Sequence, residues 1–253
     1  MALSAIVGGV RGGVAFLTRL PVGSGEDDWD RFRSFPAAFP LVAYLVGAVA
    51  ALPFLVAGAA PAPTVAFGYL LTLVVLVGIP HFDGVADLGD AMAAHGDGVS
   101  REALKDTATG VGAIVAVGVV IGGLVLGALA LAAGPPLVAV GIVVAAEVGA
   151  KLGMATVACL ASAAHEGLGS AFTGRSEPAL LLGPALAALP AALFFAPVAA
   201  GLVAVAAGPL VAVGLIRWAD GTLGGVNGDV FGATNELARV IGIHLGVIAW
   251  TLS

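Results

Sequence analysis

Residues 34–82 read SFPAAFPLVAYLVGAVAALPFLVAGAAPAPTVAFGYLLTLVVLVGIPHF, without one Asp, Glu, Lys or Arg. One bilayer crossing needs about 20 apolar residues. This block is long enough for two, and Ala59-Ala60-Pro61-Ala62-Pro63 supplies the turn between them. Two further charge-free blocks, 107–146 and 178–216, have the same form. Gly134-Pro135-Pro136 breaks the first of these. In the second, Pro190, Pro197 and Gly208-Pro209 compete, and the break is placed near Ala196–Gly201. The expected spans are 37–58, 63–80, 110–132, 137–160, 179–195 and 200–217. A last apolar piece, Val240–Leu252, is short for a crossing and reads as a seventh, tilted or re-entrant, segment.

Composition agrees. The chain is 60% hydrophobic and 10% charged, with a mean hydropathy of +1.09, where a soluble domain carries about 25% charged residues. Backbone in lipid must be helix or closed barrel. The apolar runs are continuous rather than ten-residue alternating segments, which excludes a barrel. The expected fold is therefore all-α, a polytopic integral membrane protein of six to seven transmembrane helices, in a single domain over 1–253. Cys159 is the only cysteine, so no disulfide forms within the chain. Arg11 and Arg19 interrupt the opening apolar stretch, so residues 1–33 read as an interfacial segment rather than a signal peptide.

Outside the fourth span, every Asp, Glu, Lys and Arg falls in 11–33, 83–106, 166–177 or 217–239. In the six-span layout all four stretches share one side. Lys and Arg favour the cytoplasm, so the expected location is the cell membrane, multi-pass, with a cytoplasmic active face. The exceptions are Glu147 and Lys151 at i and i+4, spaced for an intrahelical ion pair. Ionisable groups at such depth are functional candidates, or a buried pair holding two helices together.

The polar stretches carry the chemistry. His81-Phe82-Asp83-Gly84-Val85-Ala86-Asp87-Leu88-Gly89-Asp90 places Asp83, Asp87 and Asp90 at i, i+4 and i+7, on one helix face. Stacked like charges repel unless a cation lies between them. Mg²⁺ is the natural candidate, since it shares its shell between carboxylates and substrate phosphates. The bland alternative is a solvated helix start with capping acids. His81 is read as lying near the substrate. Lys105 and Asp106 lie at the next membrane edge, as a phosphate partner and a further metal ligand, or as ordinary interfacial snorkelling. His165 to Arg175 is a glycine-rich loop whose backbone N–H groups could cradle an anion. Arg217 to Asp229, with Glu236 and Arg239, is a fourth polar element, completing a pocket. Nothing points to nucleic acid, and a homo-oligomer is compatible with the pattern.

These segments in this order resemble the cobalamin synthase family, the adenosylcobinamide-GDP ribazoletransferases. Gly78 to Asp90 is similar to that family's G-x-H-x-D-G-x-A-D-x-x-D segment, with one extra residue between Gly and His. Lys105-Asp106-Thr107-Ala108-Thr109-Gly110 aligns with its K/R-D-S-R-x-G segment, with Ala108 where the family has arginine. Glu166–Phe172 matches E-G-L-G-x-x-F, and Thr222–Asp229 matches T-L-G-G-x-x-G-D. The resemblance runs from about residue 16 to 239. It implies a Mg²⁺-dependent phosphoryl transfer late in cobalamin biosynthesis, joining adenosylcobinamide-GDP and α-ribazole or α-ribazole 5′-phosphate, with GMP leaving. It implies catalytic roles for His81, Asp83, Asp87, Asp90, Lys105 and Asp106, with Asp83, Asp87 and Asp90 on the metal. It implies substrate contacts at Glu166, Gly169, Arg175, Gly224, Gly225, Asp229 and Glu236. A CDP-alcohol phosphotransferase would need D-G-x-x-A-R, whereas here Asp83-Gly84-Val85-Ala86 is followed by Asp87, with no arginine. An ion-coupled transporter would need its acids near the midplane.

Overall fold

The computed structural model of the chain describes residues 3–94 and 109–253. Among the described residues there are eleven α-helices and no strand. They are α1 (Leu3–Leu17), α2 (Glu26–Arg33), α3 (Ala38–Ala50, prolonged by a 3-10 turn at Leu52–Val56), α4 (Ala62–Val77) and α5 (Pro80–Ala93). Then come α6 (Val111–Ala132), α7 (Pro136–Leu160), α8 (Leu168–Thr173), α9 (Leu182–Phe194), α10 (Val198–Thr222) and α11 (Gly228–Thr251). The polytopic all-α architecture is as expected. The first two breaks fall at the Pro and Gly clusters read as turns, and the third, expected near Ala196–Gly201, lies at 195–197, with helix resuming at Val198 after Pro197.

Ala38–Val56, α6, α7 and α10 are each long and apolar enough to cross a bilayer, and a fifth span arises if α4 and α5 are taken as a bent pair. The larger expected number rests on α4 and α9, which are short, and on α11, which carries charge. In α11 the 24 residues form one unbroken helix, about 36 Å long. The apolar piece Val240–Leu252 is therefore the far half of a helix that begins at Gly228.

Two ends can be told apart by contacts. A side chain at Gly134 would strike the Trp250 ring, and one at Gly141 would strike the Phe195 carbonyl. This groups the α6–α7 turn, the α9–α10 turn and the end of α11 at one apolar end. At the other end Arg19 donates its backbone N–H to Leu76 O (2.7 Å), Val226 to Ser162 O (2.8 Å) and Ala164 to Val226 O (2.9 Å). Among the described residues, the connections that follow α1, α4, α7 and α10 therefore gather at this end.

The centre is α7, of whose best apolar window 83% is buried, against 28% for α6 on the lipid side. In lipid, helices gain little from hydrophobic burial and associate through close packing of small residues. Here a Cβ at Gly149 would come within 2.6 Å of Ala204 O on α10, and one at Gly242 of α11 within 2.9 Å of the same carbonyl. At the other edge, the short helix α2 packs on glycines of α1, with the buried Asp28 accepting from Arg11 Nε (2.9 Å). Within the segment 1–33, residues 3–17 form a helix held to the bundle by its glycine face.

Candidate active site

α4 and α5 meet at a 97° bend. Gly78, at φ +83°, makes the turn, and Pro80 in the first turn of α5 suits a new helix start. α5 thus runs along the polar edge instead of continuing across the membrane. Its buried face is His81, Gly84, Val85, Leu88 and Ala91. Asp83 is exposed beside this face, while Asp87 and Asp90 are half-buried.

The acids do not play one role. Both oxygens of Asp90, expected on the metal, accept backbone N–H groups at the start of α6: Gly110 (2.8 Å) and Ala113 (2.9 Å). A carboxylate there satisfies orphan donors and faces the positive end of the helix. Asp90 therefore ties α6 to α5. In its place Asp229, in the first turn of α11, joins Asp83 and Asp87. It is brought in by Gly84, where a Cβ would lie only 2.6 Å from Asp229 O. Asn227 caps α11 by accepting from Val230 N (3.1 Å) and donates to Asp229 Oδ2 (2.7 Å).

Burial, and then the charges of Asp229, Asp83 and Asp90, push the Asp87 carboxyl up to about 6. Asp229 is raised as well, by burial first, with the Asn227 hydrogen bond opposing. His165 is near enough to pull Asp229 down; the sequence reading had not singled it out, since one histidine opening a glycine-rich loop carries no spacing signal. Asp83, Asp87 and Asp229 are in no ion pair among the described residues. No three His, Cys, Asp or Glu side chains among those residues converge tightly enough to hold a metal ion by themselves.

The glycines of the two glycine-rich loops serve close packing and a helix end. Gly224 N and Gly225 N both donate to Ala219 O, at 2.9 and 3.2 Å, closing the end of α10. Gly225 (φ +141°) admits the 162–164 backbone, since a Cβ there would lie 2.7 Å from Ala164 N and from Ser162 O. Gly169 packs on Val226 and Asn227 in the same way. These glycines seat the start of α11. Glu166 and Arg175 are exposed, and Arg175 lies 3.8 Å from Asp30 of α2. Lys105 and Asp106 lie outside the described residues.

Residues 217–239, read as a polar loop, are mostly helix: α10 runs to Thr222 and α11 starts at Gly228. Glu236 is consequently two turns inside the bundle and 1% exposed. There Arg239 bonds both Glu236 and Glu147. Lys151 lies 3.5 Å from Glu147 and donates to Asn235 Oδ1 (2.5 Å). Asn235 Nδ2 reaches Glu236 Oε1 (2.9 Å) and His81 Nδ1 (3.0 Å). The expected Glu147–Lys151 pair exists, as part of a buried network across α5, α7 and α11. Glu236 and Arg239, spaced i and i+3 for a pair on a helix, do pair on α11; Asn235 was missed because its partners His81 and Lys151 lie far away in sequence.

Above this network lies a cavity of about 240 Å³. It is lined by Phe16, Leu17, Val77, Pro80, His81, Met154, Leu168, Phe172, Gly228, Phe231 and Gly232. Gly228 is the immediate neighbour of Asp229, so the cavity adjoins the open carboxylates.

Comparison with known proteins points the same way. The profile of the cobalamin-5-phosphate synthase family matches residues 9–247. A Halobacterium salinarum protein named adenosylcobinamide-GDP ribazoletransferase is 56% identical over 78% of this chain and 100% of its own length. Proteins of that name from Halorubrum lacusprofundi and Haloquadratum walsbyi are 50% and 42% identical. They cover 97% and 98% of the chain, and 99% and 100% of their own lengths. No solved structure matches.

Proposed function

Since the chain belongs to the cobalamin-5-phosphate synthase family, we propose that it joins adenosylcobinamide-GDP to α-ribazole or α-ribazole 5′-phosphate and releases GMP. A ribose hydroxyl attacks one phosphorus of the diphosphate, and the bond to the GMP oxygen breaks. Such a transfer asks for positioning and charge neutralisation more than for covalent catalysis. The observation that carries the reading is the trio Asp83, Asp87 and Asp229, gathered at the polar end without a paired cation among the described residues.

Mg²⁺ fits this donor set as an ion that arrives with substrate. Mg²⁺ sites commonly combine one or two carboxylates with phosphate oxygens and water, and the trio is too open for a closed protein cage. Asp83 and Asp229 would hold it, and when bound it neutralises charge on the diphosphate and the leaving GMP. Asp87, half-buried beside them on α5, takes the proton from the attacking hydroxyl. Gly84 keeps α5 and α11 close enough for these roles to be simultaneous. Asp90 holds α6 in place beside them. The concentration of charge at one end, read with the preference of Lys and Arg for the cytoplasm, supports a cytoplasmic active face on a cell-membrane protein.

The test is reaction in liposomes with adenosylcobinamide-GDP, α-ribazole 5′-phosphate and Mg²⁺, followed by mass spectrometry. The joined corrinoid and GMP are expected from wild type, far more slowly from Asp83→Asn, and not after EDTA. Folded wild type that yields no product overturns the reading.

A further inference from the structure

The cavity beside His81 has no role in the transfer as described, yet it is built with one specific polar feature. Lys151 Nζ can only donate, so the Asn235 atom facing it at 2.5 Å is the amide oxygen. The Asn235 amide nitrogen then faces His81 Nδ1 at 3.0 Å and donates to it. A neutral imidazole that accepts at Nδ1 carries its proton on Nε2. Nε2 has no hydrogen-bond partner among the described residues, and it is not among the sealed, unpartnered atoms. The ring itself is 9% exposed and lines the cavity. The buried network thus presents one N–H donor to an otherwise apolar chamber.

The rest of the lining suits a flat ring. Phe16, Phe172 and Phe231 supply aromatic walls. Met154 supplies a polarizable sulfur, a favourable neighbour for aromatic rings. Gly228 and Gly232, at i and i+4, leave one face of α11 bare. An apolar cavity of roughly 150 Å³ takes one benzene, so 240 Å³ takes two fused rings and is far too small for a corrin.

We propose that this cavity binds the base of the acceptor, a benzimidazole whose one free ring nitrogen accepts from His81 Nε2–H. The assignment rests on the ribazole-transfer reading above. Guanine is the other bicycle in that reaction. It carries several donors and acceptors, most of which this lining would leave unpaired, at a cost in affinity. With the base here, the ribose emerges beside Gly228 and Asp229, next to the carboxylate trio. His81 is then a substrate-binding and orienting residue.

The experiment is calorimetric titration of the full chain in nanodiscs with benzimidazole and with indene, its isostere lacking ring nitrogen. Wild type is expected to bind benzimidazole at least tenfold more tightly than indene, because a site that bonds a polar atom rejects the analogue without it. His81→Phe is expected to bind both alike. Leu168→Trp fills the chamber and is expected to weaken both at least tenfold. Should that variant fail to fold, Val77→Trp fills it from another wall. A folded filling variant with wild-type benzimidazole affinity overturns the proposal, as does a wild type with no preference over indene. Product assays separate the two readings. Wild-type turnover with an unchanged KM for α-ribazole 5′-phosphate in the filling variant sinks the cavity assignment alone. Preferential benzimidazole binding without any joined product supports the cavity and sinks the transfer.

Discussion

The two acidic clusters of this protein share the helices α5 and α11 and follow opposite rules. At the rim, Asp83, Asp87 and Asp229 are exposed or half-buried, and among the described residues no arginine or lysine pairs with them. In the core, Glu147 and Glu236 are sealed from solvent and matched by Lys151 and Arg239, two charges against two. Burying a charge is costly unless it is paired and hydrogen-bonded, so the deep cluster has to balance internally. The rim keeps access to water and can hold uncompensated charge, which is what a cationic or cation-bearing substrate complex needs. The rim is therefore the place for chemistry, and the core cluster is what fixes α11 against α7 and His81 against α11.

That contrast can be broken. Its largest expected consequence is in the core: Arg239→Met leaves two buried carboxylates short of a cation and should lower stability by about 3–5 kcal/mol. Thermal unfolding in detergent measures this, and an unchanged midpoint would mean the core cluster is not structural. At the rim, Asp83→Asn should do the reverse. Turnover should drop on the order of 10²- to 10³-fold, as for loss of one preorganised electrostatic group. The unfolding midpoint should stay level or rise slightly, because a repulsion has been removed.

The seam between the clusters gives a finer probe. Gly84→Ala places a methyl 2.6 Å from Asp229 O and must push the start of α11 off α5. A displacement of this kind, about 1 Å, is expected to cost about 10²-fold in kcat. Turnover at the wild-type rate would show that Asp229 need not lie beside Asp83.

The smallest effect expected is in pH. Asp87 titrates at about 6, above its ordinary 3.8. Turnover that needs the ionised form should fall about tenfold per pH unit below 6. Stability moves the other way. A carboxyl whose proton affinity is raised by folding favours the folded state most below its unfolded value and loses that contribution as pH rises through 6. Acidification from 7 to 5 should therefore slow the enzyme while slightly steadying the fold. Parallel loss of both would assign the pH dependence to another group.

Much of the layout was legible in advance because lipid leaves the chain few options. A charge-free run must be helical, and Pro and Gly must end it, so the spans and breaks at 59–63, 133–136 and 195–197 follow from local sequence. The aspartates of α5 were legible for the same reason: their spacing is a property of one helix. The role of Asp90 was not, since its partners lie at Gly110 and Ala113, where nothing in their own side chains marks them as donors. Nor was the depth of Glu236. It is set by α11 starting at Gly228 instead of near residue 240, and the charges in its first half hid a continuous helix.

From its sequence alone, then, this protein was bound to be a bundle of apolar helices with its charge gathered at one end, because backbone polar groups in a bilayer must be satisfied within each segment. Only the tertiary structure decided which acids stay open, which are neutralised, and that Asn235 faces His81 Nδ1. Those outcomes depend on contacts between residues 92 and 154 positions apart, Glu147 with Arg239 and His81 with Asn235. Charge balance is settled between helices, where no pattern along the chain records it.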